Sequence, residues 1–271
     1  SGSAFAGRDI SLEVDLAGEA GRVTGPILAS ASSLEIPQGR AQAASIRGTL
    51  LRSVDGDIGF EADLSTAGTS LNAGTTSQLL DFVNLPDTFA AHETSLTDAL
   101  RRILAAFDGA ASVQARRSAE GWAISAEGPL QLTSQSGLAL DIEPGPEGRW
   151  LSWAGHDRSV TGHLDMTGGG LPAFSADLDV RMGEAGLSRF NATGLSLSPW
   201  TAGGRTLSAN LKQIDYERVG EGEMTLQTSG RIGVAGNLSG FDLNSTSVAG
   251  ELLVASSKAG WRVSTPNRAC L

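Results

Sequence analysis

Apolar and polar residues alternate along much of this chain, and this pattern constrains the fold more than any other feature. Ile10, Leu12, Val14 and Leu16 are separated by polar residues, and the same alternation runs through residues 174–182. Because successive side chains of a β-strand point to opposite faces of the sheet, each such stretch predicts a strand with one apolar and one polar face. Glycine and small polar residues separate the stretches at short intervals, which is typical of antiparallel neighbours joined by turns. The strands predicted in this way include 33–36, 43–51, 58–64, 70–73, 122–126, 130–133, 223–228, 231–238, 241–244 and 247–254, with a turn at Ala67-Gly68. We therefore expect a mainly β chain that forms one meandering sheet over residues 1–271.

A helical period replaces the alternation between residues 77 and 108. The apolar residues of its second half share one face of a helix: Leu96, Leu100, Ile103, Leu104 and Phe107. We expect helices over residues 77–83 and 95–107, the second capped at Ser95 and ended by Gly109. The apolar stripe of this helical insert either packs on part of the sheet or forms a plug at the mouth of an apolar groove.

Composition and charge argue against several classes of protein. The formal net charge of -10 disfavours binding to nucleic acid and simple adsorption to anionic lipid headgroups. The aromatic content of 5% is low for the girdles of a transmembrane barrel, and no apolar run reaches the roughly 18 residues of a membrane helix. Cys270 is the only cysteine, so the chain forms no internal disulfide.

No motif in the sequence predicts catalysis or a bound metal. His92, His156 and His163 lie in different predicted elements, whereas metal-binding histidines are usually closely spaced. The Asp-Gly-Asp segment at 55–57 is more typical of a turn than of a calcium loop, because no glutamate follows at the required offset. We therefore expect no enzymatic activity, no catalytic residues, no cofactor and no metal.

The apolar face of the sheet leaves two architectures open. In a closed β-sandwich or solenoid it forms a dry core, and the chain is then a binding module of a secreted or surface adhesin. Such a module recognises its partner through loops such as 143–149 or 155–159. In an elongated, twisted, open half-pipe the same face forms a hydrophobic groove that holds acyl chains, each buried methylene contributing about 0.8 kcal/mol. The predicted lining of this groove comprises Leu12, Val14, Ile58, Phe60, Leu64, Leu164, Met166, Phe174, Leu178, Val180, Leu195, Leu197, Met224, Leu226, Val248 and Leu252.

The order of helix and strands resembles the YdbH branch of the AsmA-like bridge proteins of Gram-negative bacteria. The residues that carry the resemblance are 94–107, 111–117, 122–128, 130–138, 168–172 and 230–264. The resemblance implies a periplasmic segment of a longer protein, whose inner-membrane anchor lies outside this segment. It implies a twisted β-groove that carries phospholipid between the inner and outer membranes, without catalysis or metal. It also implies a small outer-membrane lipoprotein as partner, joined by strand addition at an open sheet edge.

Overall fold

The computed structural model describes residues 6–80, 90–119, 121–184, 186–218, 224–238, 241–257 and 260–265. The helices are α1 (Ala73–Leu80) and α2 (Ala90–Ala105). The strands are β1 (Ala6–Arg8), β2 (Ser11–Val14), β3 (Ala17–Glu19), β4 (Arg22–Ala31), β5 (Ser33–Ile36), β6 (Gly39–Ala41), β7 (Ala43–Arg52), β8 (Ile58–Leu71), β9 (Phe107–Ser118), β10 (Gly121–Ser134), β11 (Ala139–Pro144), β12 (Arg149–Ala154), β13 (Asp157–Thr167), β14 (Phe174–Gly183), β15 (Gly186–Ala202), β16 (Arg205–Arg218), β17 (Met224–Leu238), β18 (Phe241–Ser257) and β19 (Gly260–Ser264).

The strands form one antiparallel meander. From β4 onward each long strand pairs with the next along the chain, and β11 and β12 share the same neighbours, β10 and β13. β8 and β9 are also paired, although both helices lie between them in sequence. With a strand spacing of about 4.8 Å, the ladder from β2 to β19 extends roughly 60 Å along the hydrogen-bonding direction. The predicted fold class, a mainly β antiparallel sheet with one helical insert, is confirmed.

Several glycines that the sequence predicts as strand ends are β-bulges instead. Residues 58–64 and 70–73 were expected to be separate strands, but β8 runs through both to Leu71. Gly68 adopts a φ of 57°, and the register shifts between Thr66 and Thr69. β10, β17 and β18 likewise join segments that were predicted apart. A bulge adds residues to one strand without ending the ladder, so the chain continues instead of reversing.

The predicted helix boundaries are wrong. α2 begins at Ala90, so Ser95 lies inside the helix and does not cap it. Ala90 and its neighbour Ala91 favour helix, and Glu93 in the first turn interacts favourably with the helix dipole. α1 begins at Ala73, and residues 81–83 of the predicted first helix lie outside the described residues.

The end of α2 differs from the prediction because the sheet ladder takes over the backbone. Phe107 pairs with Ser134 and Thr69, so it belongs to β9 and not to the apolar stripe of the helix. Gly109 also lies in β9, opposite Leu132, and does not end the helix. Neither α1 nor α2 combines the length and the apolar character that crossing a bilayer requires.

Among the residues that the structure describes, few large side chains are buried. The buried apolar residues of the sheet strands are mainly alanines, such as Ala62, Ala126, Ala176 and Ala192. The chain exposes 16808 Å², whereas a compact protein of 27.8 kDa exposes about 11,000 Å². The chain therefore buries less of its surface than a compact domain of this mass does.

Candidate functional site

A row of side chains, almost all of them apolar, crosses the sheet from β2 to β18. Residues directly opposite each other in paired strands point to the same face. The successive partners in this row are Val14, Ile27, Gly48, Ala62, Val113, Ala126, Leu151, Val160, Val180, Phe190, Tyr216, Leu226 and Val254. We call the side of the sheet that carries this row the apolar face, and the opposite side the polar face.

The predicted lining residues occupy this same face. Leu12 and Val14 lie on it and are 66% and 42% exposed. The half-buried ones are Ile58, Phe60, Leu64, Leu164, Met166, Phe174, Leu178, Val180, Leu195, Leu197, Met224 and Leu226. Val248 and Leu252 occupy register positions of the apolar face, opposite Ile232 and Thr228, but their side chains lie outside the described part of the chain. The register thus brings these positions together, while their binding of lipid stays a prediction.

The register also adds residues that the sequence analysis did not select. They are Ile27, Ile46, Val113, Ile124, Leu140, Val160, Phe190 and Ile214. The signal was present, because these residues also alternate with polar ones. A bulge between Ala192 and Leu195 shifts the alternation along β15 by one residue. Only the pairing of β15 with β14 and β16 shows that Ala192 and Leu195 both lie on the apolar face.

Neighbouring strands approach each other closely on the apolar face. A Cβ atom built on Gly48 would lie 2.5 Å from the Cβ of Ala62, whereas opposite Cβ atoms are usually about 4.5–5.5 Å apart. A Cβ on Gly230 would lie 2.5 Å from the Cα of Leu211. On the polar face, the nearest atom to a Cβ on Gly59 lies 3.7 Å away, and a Cβ on Gly233 would come close only to the side-chain hydroxyl of Ser208, at 2.5 Å. This asymmetry is what bending of the sheet toward its apolar face would produce.

The first half of α2 is held against the turn between β15 and β16. The imidazole of His92 is fully buried, and its Nε2–H donates to the carbonyl oxygen of Trp200 at 3.1 Å. The two rings meet edge to face, with centroids 4.9 Å apart. Ala91 lies so close to Gly203 that a Cβ at Gly203 would be 2.6 Å from the Cβ of Ala91. The N-terminal turn of α2 is thereby fixed to β15.

The second half of α2 packs against the turns at one end of the apolar face. Ala99 and Ile103 are buried against Leu138, before β11, and Leu171, before β14. Met166 of the apolar face packs on the same cluster. The 16 residues of α2 span about 24 Å, the width of roughly five strand spacings. α2 therefore packs on the end of the apolar face from β9 to β15, as expected if the insert covers part of the sheet. Its role as a plug stays a hypothesis.

The polar face is organised by ion pairs and hydrogen bonds between strands. His163 Nδ1 donates to Asp177 Oδ1 at 2.7 Å, which joins β13 to β14. This hydrogen bond, assisted by the nearby Asp165, raises the pKa of His163. Arg116 pairs with Asp57 at 2.6 Å, and the bond raises the pKa of Arg116.

A cleft of about 1050 Å³ lies on the polar face. Its lining includes His163, Asp177 and Arg181 together with the loop at 144–147. The loops that an adhesin-like module would use, 143–149 and 155–159, both contribute to it. The charged residues in its lining suit a polar ligand or a protein partner. Among the described residues, no His, Cys, Asp and Glu group is placed to hold a metal ion.

Together, the ladder and its two faces define an antiparallel meander with one continuous apolar face, whose large side chains are only partly buried. Comparisons of the chain with family models, curated proteins and solved structures found no match.

Proposed function

We propose that the chain is a lipid-binding segment of a bridge protein of the AsmA-like superfamily, YdbH branch. In this proposal the apolar face curves into an open groove that carries phospholipid acyl chains through the periplasm, between the inner and outer membranes, without catalysis. One observation carries the proposal: the row from Val14 to Val254 crosses every intervening strand pairing, and its large side chains are only partly buried. In a closed sandwich, inward side chains of this kind would form a dry core.

The dimensions of the apolar face suit acyl chains. A single lipid tail occupies half of a hydrocarbon core of about 30 Å, or roughly 15 Å. The ladder, at roughly 60 Å, would accommodate several tails in succession. If each methylene of the tail contacts the apolar face on one side only, it contributes about 0.4 kcal/mol to the free energy of binding, half the value for full burial. A tail of about 15 methylenes then gains about 6 kcal/mol without any directional contact, so the tail would be retained and could still slide.

The open edges of the sheet are compatible with a partner that adds a strand. Within the described ranges, β2 and β3 pair only with β4 on the main ladder, and β19 pairs only with β18. Unpaired edge strands present backbone donors and acceptors to another chain. We propose that a small outer-membrane lipoprotein uses such an edge.

The cleft on the polar face favours a second candidate, a protein-binding module of a secreted or surface adhesin. That candidate uses the loops around Glu147 and Asp157 and needs no lipid. It predicts that the protein purifies without lipid and that a protein partner binds in the cleft. It also requires the apolar row to form a dry core, whereas the large side chains of that row are only partly buried, so we prefer the lipid-binding segment.

A photo-crosslinking residue placed at either face tests the proposed function directly. We choose position 178, where Leu178 lies on the apolar face, and position 196, where Ser196 lies on the polar face of the adjacent strand. Irradiation in Gram-negative cells, followed by mass spectrometry, should yield phospholipid adducts at position 178 and none at position 196. Absence of adducts at position 178, or equal yields at both positions, would refute lipid carriage by the apolar face.

A further inference from the structure

The charges on the apolar face are of one sign. Among its described strand positions there is no Asp or Glu, although the chain carries 30 acidic against 20 basic residues. Arg52, Arg117, Arg158 and Arg218 occupy this face at the end away from α2, and Arg205 lies by the β15–β16 turn. We call the end that carries Arg52, Arg117, Arg158 and Arg218 the arginine lip. A positively charged border on an acidic protein indicates an anionic ligand at that border.

Tryptophan side chains accompany two of these arginines. The guanidinium carbon of Arg117 lies 5.9 Å from the ring centroid of Trp122 on the neighbouring strand. The guanidinium of Arg158 lies 5.3 Å from the ring of Trp153. The two indoles are 54% and 45% exposed, and Trp153 Nε1 donates to the carbonyl oxygen of Gly155 at 2.9 Å. Cation–π contact orients each guanidinium over an aromatic ring and leaves its N–H edge in solvent.

Two guanidinium groups of this lip, those of Arg117 and Arg158, are exposed and placed to contact an anion. Among the described residues, neither Arg117 nor Arg158 forms an ion pair with a carboxylate, in contrast to Arg116, Arg181 and Arg189 on the polar face. A guanidinium presents parallel N–H groups that match the oxygens of a phosphate. Tryptophan, apolar with one polar N–H, suits the boundary between hydrocarbon and water. The arginine lip thus combines guanidinium groups, which match a phosphate, with indole rings, which suit the boundary between acyl chains and water.

We propose that Arg117 and Arg158, stacked on Trp122 and Trp153, bind the phosphate of a phospholipid whose acyl chains lie on the apolar face. This inference rests on the proposed function and adds the orientation of the lipid, with its phosphate at the lip and its tails toward α2. Along β13, the eight residue steps from Arg158 to Met166 span about 26 Å. A tail of roughly 15 Å fits within that distance.

The test compares lipids that share acyl chains and differ in the phosphate. The probes are dioleoyl phosphatidylglycerol, dioleoylglycerol and glycerol phosphate, presented to the purified full chain in the same detergent and measured by native mass spectrometry. The variant is Arg117→Gln with Arg158→Gln. The matched control is Arg47→Gln with Arg231→Gln, which removes the same charge from exposed positions of the polar face.

The wild type should prefer phosphatidylglycerol to dioleoylglycerol, and the lip variant should lose roughly two- to thirtyfold of that preference, as expected for two exposed ion pairs. Its binding of dioleoylglycerol should be unchanged, the control should match the wild type, and added salt should weaken the preference. An unchanged preference in the lip variant would overturn this inference and leave lipid binding intact. Binding of glycerol phosphate as tight as that of phosphatidylglycerol would also overturn it, because the lip would then be a simple anion site. Failure of the wild type to bind either lipid would overturn the proposed function and this inference with it.

Discussion

Replacement of Leu178 by Asp distinguishes an open apolar face from a closed core. Leu178 is half-buried near the middle of β14, with Gly162 and Ala192 directly opposite it in the neighbouring strands. A carboxylate at this position points to the apolar face. If the face is open, that carboxylate stays hydrated in the free protein and loses water only when an acyl chain covers it.

The two architectures predict different magnitudes for this change. Full burial of a leucine contributes about 1.5–3 kcal/mol, so loss of a half-buried one from an open face should lower the free energy of unfolding by about 1 kcal/mol. Covering the carboxylate with a tail costs at least about 2 kcal/mol, which weakens lipid binding roughly thirtyfold or more. In a closed core, the same substitution should cost more than about 4 kcal/mol of stability.

The assay combines urea denaturation with quantification of phospholipid that copurifies with the protein. Ser196→Asp adds the same charge on the exposed polar face of β15 and serves as the control. We expect Leu178→Asp to fold, to unfold at slightly lower urea and to lose its lipid, while the control keeps both properties. Unfolding of Leu178→Asp, or lipid loading equal to that of the control, would refute the open apolar face.

Further predictions concern the polar face, the helix and the approach of strands. Because the pKa of His163 is raised by Asp177, the imidazolium stabilises the fold fully below its unfolded value of 6.5 and loses this effect as pH rises through the folded pKa. His163→Gln should therefore lower the free energy of unfolding by less than about 1 kcal/mol near pH 5.5 and by nothing above about pH 8; a difference independent of pH in denaturation curves would contradict this. Ile103→Ala, at a residue only 8% exposed, should cost about 2–4 kcal/mol in the same assay, and a loss below about 1 kcal/mol would show that α2 is weakly anchored. Gly48→Ala should cost about 1–3 kcal/mol while Gly59→Ala stays near neutral, and equal melting temperatures would disprove the close approach of strands on the apolar face.

The alternation of apolar and polar residues predicted most of the strands. The segment Ser33–Ile36 coincides with β5, and the predicted strand at 43–51 differs from β7 by one residue. The pattern failed at Gly68, which closes no turn. A glycine in the left-handed region is equally compatible with a turn and with a bulge. The neighbouring strand decides between them, and local sequence does not contain that information.

Part of the candidate site was predictable from local sequence. The alternation of apolar and polar residues within each strand was sufficient to select Leu164, Met166 and Leu178 as members of one face. It could not show that Leu195 joins them across a bulge. The lip arginines were also missed, since a charged residue at a strand end gives no sign of the face on which it lies.

Sequence alone determined that this chain forms a sheet with one apolar side, because a period of two is a local property of each strand. The tertiary structure decided which strands share that side, where α2 covers it and where the arginines border it. Those features depend on contacts between distant segments, such as the bond from His92 to Trp200, 108 residues apart in sequence. The register of the ladder, set by pairing and bulges along the whole sheet, brings these segments together.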